Sequence, residues 1–294
     1  MILSLLGINP HWILDYRSEL LTAIFKIFPF FASDFFYITV IAMGYWLRPR
    51  HLIFAHLGFL VAASTLLNCI LKNIFRISRP DSALHLVPLS DSFGFPSGDI
   101  QVASVFWFMV FLNLKRVASL SYLCWAPILG IFISRVYLGV HSIYDVSFGL
   151  MMGLATVYFW HRPSVQHCIV GWYKGCSYSF WITAVLLILA CGLMSYDSQW
   201  LPMASMAMGA LLGYGISLYA IGKNTHLMEQ GYSIRKFIGI LLSLALVVAV
   251  VKFLRIEKVD GTFYNAMIIV KYTFILFFIY TIVPELINKF SKTR

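Results

Sequence analysis

The chain has 294 residues, of which 60% are hydrophobic and 12% charged, about half the charged share of an average soluble domain, with a mean hydropathy of +0.82. Apolar runs near the roughly twenty residues that cross a bilayer recur along its whole length, which excludes a soluble globular protein and leaves no room for a soluble domain of any size. The formal net charge of +10 would suggest nucleic acid in a soluble chain, but most basic residues sit in short loops between apolar runs, where membrane topology accounts for them, and no nucleic-acid partner is expected.

The apolar start Met1 to Leu6 lacks a preceding basic region and is interrupted at Pro10, so no cleaved leader is expected. His11 to Phe31 mixes Asp15, Arg17, Glu19 and Lys26 with Trp12, Leu20, Leu21 and Ile24, a pattern that suits a helix lying in the membrane interface. Spans are expected at about 33–47 and 52–75, then a polar loop from Arg76 to Pro96, then spans at about 97–114, 120–137 and 142–160. The loop holds Pro80, Asp81, Pro88, Asp91 and Gly94, and long ordered loops in compact proteins tend to be functional. Four more spans follow, at about 178–194, 201–221, 237–254 and 266–287. The expected architecture is all-α, a polytopic membrane bundle with a core over residues 1–162 and a C-terminal module over 163–294. Gly149 with Gly153, and Gly209 with Gly213, each form a small-xxx-small face for helix packing.

The five cysteines are an odd number without paired spacing and read as small buried hydrophobes rather than a disulfide framework. His167, Cys168 and Cys176 lack a fourth ligand nearby, so no metal site is expected there. With nine spans, Arg48, Arg50, Lys115, Arg116, Arg162, Lys174, Lys223, Arg235, Lys236, Lys289, Lys292 and Arg294 fall on one side. Leaving out the candidate site residues Lys72, Arg79 and Arg135, six fall on the side of the loop 76–96: Arg17, Lys26, Arg76, Lys252, Arg255 and Lys258, while Lys271 lies inside a span. The positive-inside rule puts the first side in the cytoplasm, so the loop faces outward, toward the periplasm if the cell is bacterial.

Three segments converge on that outer side. Lys72 and Arg79 are seven residues apart, two helical turns, and share a face if the second span continues to Pro80, which would stop it. Taken alone they equally suit two cations snorkelling to lipid headgroups. Next, Pro96, Ser97, Gly98 and Asp99 open the third span, with Ser97 as its N-cap. Free amides at a helix start bind anions, although an ordinary capped helix looks the same. Last comes Ser134, Arg135, then His141 and Asp145 around a helix break. The i, i+4 spacing lets the carboxylate accept one ring N–H of His141 and leave the other nitrogen free to attack, while Arg135 offers a planar fork to phosphoryl oxygens. By itself His141 could be a satisfied interfacial histidine. Together, three fixed cations, a serine, a histidine and an aspartate on one membrane face point to phosphate chemistry, and the cations would repel a divalent metal.

Lys72 with six residues before Arg79-Pro80, then Pro96-Ser97-Gly98, then Ser134-Arg135 with five residues before His141 and three before Asp145, resembles the three-part signature of the type 2 phosphatidic acid phosphatase (PAP2) superfamily. The resemblance covers about Asp34 to Trp160. It implies a core of packed helices and cofactor-free, metal-independent hydrolysis through a phosphohistidine on His141. It makes Lys72, Arg79 and Arg135 the phosphate clamp, gives Ser97 and the Gly98 amide further phosphate contacts, and makes Asp145 the group that orients the nucleophile. The C-terminal spans resemble an extension on some bacterial members.

One position departs from that signature. Where the family has a histidine that protonates the leaving oxygen, this chain has Asp99, and surrounding cations favour its ionised form. Three outcomes follow from the residues. The substrate's leaving group needs little protonation, as in a polyprenyl pyrophosphate; or a weakened monoesterase survives, with Asp99, His85 or water giving the proton; or the chain binds phospholipid without turnover. The expected partners are a lipid phosphate substrate, with phosphatidic acid or phosphatidylglycerol phosphate as other candidates, and membrane lipids. A non-catalytic lipid binder or transporter is the rival reading, and transfer to another lipid instead of water uses the same residues.

Overall fold

The computed structural model describes residues 11–47, 53–88, 92–114, 122–175, 201–223, 234–253 and 262–292. All regular structure among them is helical, as the composition implies. In chain order the α-helices are α1 Glu19–Phe25, α2 Asp34–Leu47, α3 Ile53–Phe75, α4 Gly98–Leu114, α5 Trp125–Tyr137, α6 Ile143–Trp160, α7 Pro163–Gly175, α8 Leu201–Lys223, α9 Ile234–Phe253, α10 Thr262–Phe277 and α11 Val283–Lys292. The expected span at 178–194, with Cys176 and Cys191, lies outside the described residues, as do Asp91 and the turn at 48–51.

Among the described residues three helical stretches are long and apolar enough to cross a membrane: Ile53–Phe75, Ile143–Trp160 and Tyr264–Lys289. A bent pair, Glu19–Ala32 with Asp34–Leu47, meets at 51° and would make a fourth. The described parts of α4 and α5, 17 and 13 residues, are about 25 and 20 Å long. Their polar ends, Ser97 to Asp99 and Ser134 to Tyr137, carry candidate site residues.

Several local expectations are corrected. The single interfacial helix over 11–31 is three short pieces: 3₁₀ turns at His11–Tyr16 and Phe28–Ala32 flank α1, which Ser18 caps and Pro29 follows. Helix α3 ends at Phe75, where the second span is expected to end, because Arg76 adopts a left-handed φ of 51° that turns the chain out of the helix, so Arg79 does not share a helix face with Lys72. Residues 163–175, which precede the expected span at 178–194, form α7. Cys168 on it is exposed, whereas Cys69 and Cys124 are buried as expected.

The chain divides into two compact units, one of residues 1–37 and 64–162, the other of 38–63 and 163–294. In the first, α6 lies against α4 at very short range. A Cβ at Gly149 would stand 2.5 Å from the Ser97 carbonyl oxygen, and one at Gly153 would stand 2.4 Å from that of Gln101. Only glycine permits this approach. Buried amides fix α3 to the start of α4: Asn68 Nδ2 donates to Pro96 O (3.2 Å) and Gln101 Oε1 (2.9 Å), and Gln101 Nε2 donates to Ser64 O (3.1 Å). An apolar cluster of Ile13, Ile100, Ala103, Ile128, Ile131, Leu138, Val140 and Val146 fills the space between α4, α5 and α6.

The second unit uses the same device. Gly209 and Gly213 of α8 meet the Ile269 and Thr273 carbonyls of α10, at 2.4 and 2.5 Å from a built Cβ. Between α10 and α11 the helix widens into a π turn over Phe278–Ile282. Trp46 Nε1 donates to Ile279 O (2.9 Å) and Tyr45 Oη to Tyr280 O (3.4 Å), so α2 supplies donors to carbonyls of that turn.

Candidate active site

The stretch from Ser134 to Asp145 folds as two helix ends back to back, and each end explains a spacing. Helix α5 closes with Gly139 at φ 74°, where the Gly139 amide donates to Val136 O (2.9 Å) and the Val140 amide to Arg135 O (3.2 Å). This is a Schellman closure, which needs a left-handed residue at that position. Helix α6 then opens on a capping box. Ser142 Oγ accepts from the Asp145 amide (3.2 Å), and Asp145 Oδ2 accepts from the Ser142 amide (2.7 Å). The five residues between Arg135 and His141, and the three between His141 and Asp145, are thus the lengths of one helix exit and one helix entry.

His141 sits between these ends and is 1% exposed. Its Nε2 lies 3.2 Å from Arg79 Nη1. A guanidinium can only donate, so Nε2 accepts and the neutral ring carries its proton on Nδ1. That nitrogen faces Asp145 Oδ2 at 3.5 Å, longer than a closed hydrogen bond. The expected ring N–H to carboxylate bond is therefore not closed; Oδ2 is held first by the Ser142 amide. Burial pushes the imidazole down to about pKa 4, and the Arg79 and Lys72 cations add to the shift against the raising effect of Asp145. The ring is neutral at physiological pH.

Arg79 stands on the loop after α3, not on the helix itself. Its fork is spread over four acceptors: Nε donates to Ser92 O (2.8 Å), Nη2 to Ser92 Oγ (2.5 Å), and Nη1 to Val140 O (3.2 Å) as well as to His141. The loop doubles back to make this possible, with the Gly94 amide bonded to Ile77 O (2.8 Å). Lys72, 4% exposed, donates from Nζ to Phe93 O (2.8 Å) on the same returning strand of loop.

The start of α4 enters from another direction. The Ser97 amide donates to Asp145 O (3.0 Å), which joins the first turns of α4 and α6. Ser97 occupies the capping position, but its buried hydroxyl has no hydrogen-bond partner among the described residues, so it does not cap the helix as expected. The Asp99 carboxylate, 37% exposed, lies 3.0 Å from Arg135 Nε. The residue expected to give a proton and one expected to bind phosphate are thus paired with each other. His85, the other proton donor considered, directs Nε2 to Pro80 O (3.1 Å), and burial lowers its pKa.

All eight sequence-predicted residues, Lys72, Arg79, Ser97, Gly98, Asp99, Arg135, His141 and Asp145, fall in the first compact unit. Ser92 and Ser142 were absent from that set. The Ser-x-x-Asp pattern at 142–145 announces a capping box, whereas nothing in the sequence marks Ser92 as the partner of Arg79. Among the described residues no group of three or more His, Cys, Asp or Glu side chains could hold a metal ion. The arrangement offers a neutral imidazole with a lone pair on Nε2 that faces Arg79 and feels the Lys72 cation, with Arg135 held by Asp99.

No curated protein and no solved structure matches this chain. Residues 53–167, which contain every one of these positions, match the family model of the PAP2 superfamily, a family that includes phosphatases acting on lipid phosphates.

Proposed function

We propose that this chain is an integral-membrane phosphatase that removes the terminal phosphate of a lipid phosphate through a phosphohistidine on His141. The observation that carries this reading is the tautomer, with Arg79 donating to Nε2 and Asp145 facing Nδ1. It leaves the imidazole neutral with its lone pair on the nitrogen that the guanidinium attends. A phosphoryl group entering the site would draw the Arg79 fork onto its oxygens and release Nε2 to attack in line. The Nε2–P bond forms as the P–O bond to the leaving group breaks, and that oxygen departs with the bonding electrons. Lys72, Arg79 and Arg135 stabilise the charge spread over the equatorial oxygens, and the Ser97 hydroxyl and Gly98 amide add donors. Asp145 balances the imidazolium that forms at Nδ1. Water then attacks phosphorus, breaks the N–P bond and frees inorganic phosphate.

Asp99 narrows the substrate. A carboxylate beside Arg135 is ionised and gives no proton to the departing oxygen, so the leaving group must be stable as an anion. A lipid pyrophosphate, which releases a lipid monophosphate, meets that need better than a phosphate monoester releasing an alkoxide. We therefore put polyprenyl pyrophosphate first and phosphatidic acid second. The catalytic core falls within residues 1–162 and faces the periplasm or exterior, as the basic residues of the other side suggest; residues 163–294 are an added module. A second reading rests on the same ion pair: Asp99 occupies Arg135 in place of phosphate, and a chain so altered could hold a phospholipid headgroup without turnover.

Phosphate release from undecaprenyl pyrophosphate and from phosphatidic acid, measured on detergent-solubilised full chain with chelator present, separates these. Release that prefers the pyrophosphate and vanishes in His141→Ala supports the enzyme. No release from either lipid, with activity appearing in Asp99→His, overturns it in favour of the binder.

A further inference from the structure

A residue outside the family signature is wired to the turn that carries His141. Arg17, which the sequence suggests only as an interfacial cation, sends Nη2 to two backbone carbonyls from different segments, Leu84 O (2.5 Å) and Tyr137 O (3.3 Å). The Tyr137 carbonyl is one of those that α5 leaves open at its C-terminus, where a cation also meets the negative end of the helix dipole. The Leu84 carbonyl has a second contact. It presses on Gly139, where a Cβ would stand 2.0 Å from it, while the next loop residue but one, Leu86, donates its amide to Leu138 O (3.0 Å). One guanidinium thus ties the loop from α3 to the exit of α5 at the residue that reverses the chain.

The neighbouring contacts act in the same sense. Tyr137 Oη donates to Ser18 O (3.2 Å), accepts from the Ser18 amide (3.1 Å) and meets Thr22 Oγ1 (3.1 Å). Ser134 Oγ donates to Phe25 O (2.9 Å). The segment 17–25 therefore grips α5 on either side of Arg135, and from Gly139 the chain continues directly to Val140, whose carbonyl accepts from Arg79, and to His141.

We infer that Arg17 is a positioning residue for phosphoryl transfer: by clamping the Leu84 and Tyr137 carbonyls it fixes the turn 138–141 and so the placement of His141 Nε2 against Arg79. The inference rests on the reading of His141 as nucleophile. In-line attack is sensitive to displacements near 1 Å, which cost on the order of a hundredfold.

Arg17→Met should lower kcat for lipid pyrophosphate about ten- to a hundredfold with KM changed less than about threefold. Arg17→Lys, which keeps the charge but reaches one carbonyl at a time, should recover part of the loss. Hydrogen exchange, read on the same full-length variants, should quicken at the amides of Leu138, Gly139 and Val140 and stay unchanged in α6. An Arg17→Met protein with wild-type kcat and wild-type exchange overturns the inference and leaves the phosphatase reading intact. Exchange that quickens throughout α4 and α6 together with a raised KM also overturns it, since that is general loosening. A wild-type chain that is inert fails the phosphatase reading, and the inference is then decided by exchange alone: acceleration confined to 138–140 sustains the clamp, and unchanged exchange removes it.

Discussion

Two helix pairs in this chain use the same small-residue spacing and set very different groups at their ends. In the first unit, Gly149 and Gly153 let α6 lie on the backbone of α4, and the contact continues to the first turns of both helices, where the Ser97 amide reaches Asp145 O. Around that junction stand His141, Asp99 and the unused Ser97 hydroxyl. In the second unit, Gly209 and Gly213 bring α8 onto α10 equally closely. The polar groups there turn inward: Ser217 Oγ donates to Gly213 O in its own helix (2.7 Å), and Tyr45 and Trp46 attend a π turn. The glycine face is a packing device in both. Chemistry depends on which helix ends it draws together.

The largest test of that contrast is at the helix end itself. Asp99→His removes the carboxylate from Arg135 and restores a proton donor, and should raise hydrolysis of phosphatidic acid about a hundred- to ten-thousandfold, with a much smaller change for the pyrophosphate. Parallel rates of phosphate release on the two lipids read the effect. An equal gain on both would mean that Asp99 blocks binding rather than limits leaving-group departure.

The glycines give the next largest effect. Gly149→Leu forces α6 away from Ser97 and should reduce turnover about a hundredfold through misplacement of the site, whereas Gly209→Leu should cost about 1–3 kcal/mol of stability and leave turnover per folded molecule within about twofold of wild type. Melting temperature and kcat measured together on each variant make the comparison. Turnover lost equally in both variants would remove the distinction between the two helix pairs.

The smallest effect is one of pH. The His141 imidazole titrates at about 4 in the folded chain against about 6.5 unfolded. Between these values only the unfolded chain takes up the proton, so stability is flat above about pH 6.5 and falls as pH drops toward 4. At pH 5 the loss is about 2 kcal/mol. His141→Gln should lack this part of the acid sensitivity in melting curves recorded between pH 7 and 5. The acid limb of kcat/KM that belongs to the nucleophile should likewise lie near 4, and a limb that persists in a substrate whose own phosphate does not titrate there would assign it.

Much of the site was legible because its spacings are backbone lengths. The interval from Arg135 to His141 is a Schellman exit with Gly139 as its pivot, and that from His141 to Asp145 is a helix entry capped by Ser142, so any chain making this turn must count the same residues. The aspartate at 99 was equally visible. Less legible was everything held by carbonyl oxygens, which leave no trace in residue identity. Arg79 is placed by Ser92 O and Val140 O, Lys72 by Phe93 O, and Arg17 by Leu84 O and Tyr137 O. The condition for Lys72 and Arg79 to share a helix face fails for a related reason: α3 ends at Phe75 as expected, and the left-handed turn at Arg76 leaves the helix four residues before Pro80. The ion pair between Asp99 and Arg135 joins residues whose separation in sequence gives no hint of contact.

The capping box of α6 bears on how freely this site could drift. One oxygen of Asp145 both holds the first turn of α6 through the Ser142 amide and faces the imidazole, so a substitution there would fray a helix as well as disarm His141. Asp99 holds no backbone group in this way; its carboxylate pairs with the buried Arg135 side chain and lies in the field of Lys72, Arg79 and His141. The two aspartates therefore do different work, one on the backbone and one on a buried cation. The position that departs from the PAP2 signature is the one whose partner is a side chain, so a histidine there would alter the site without touching the capping box.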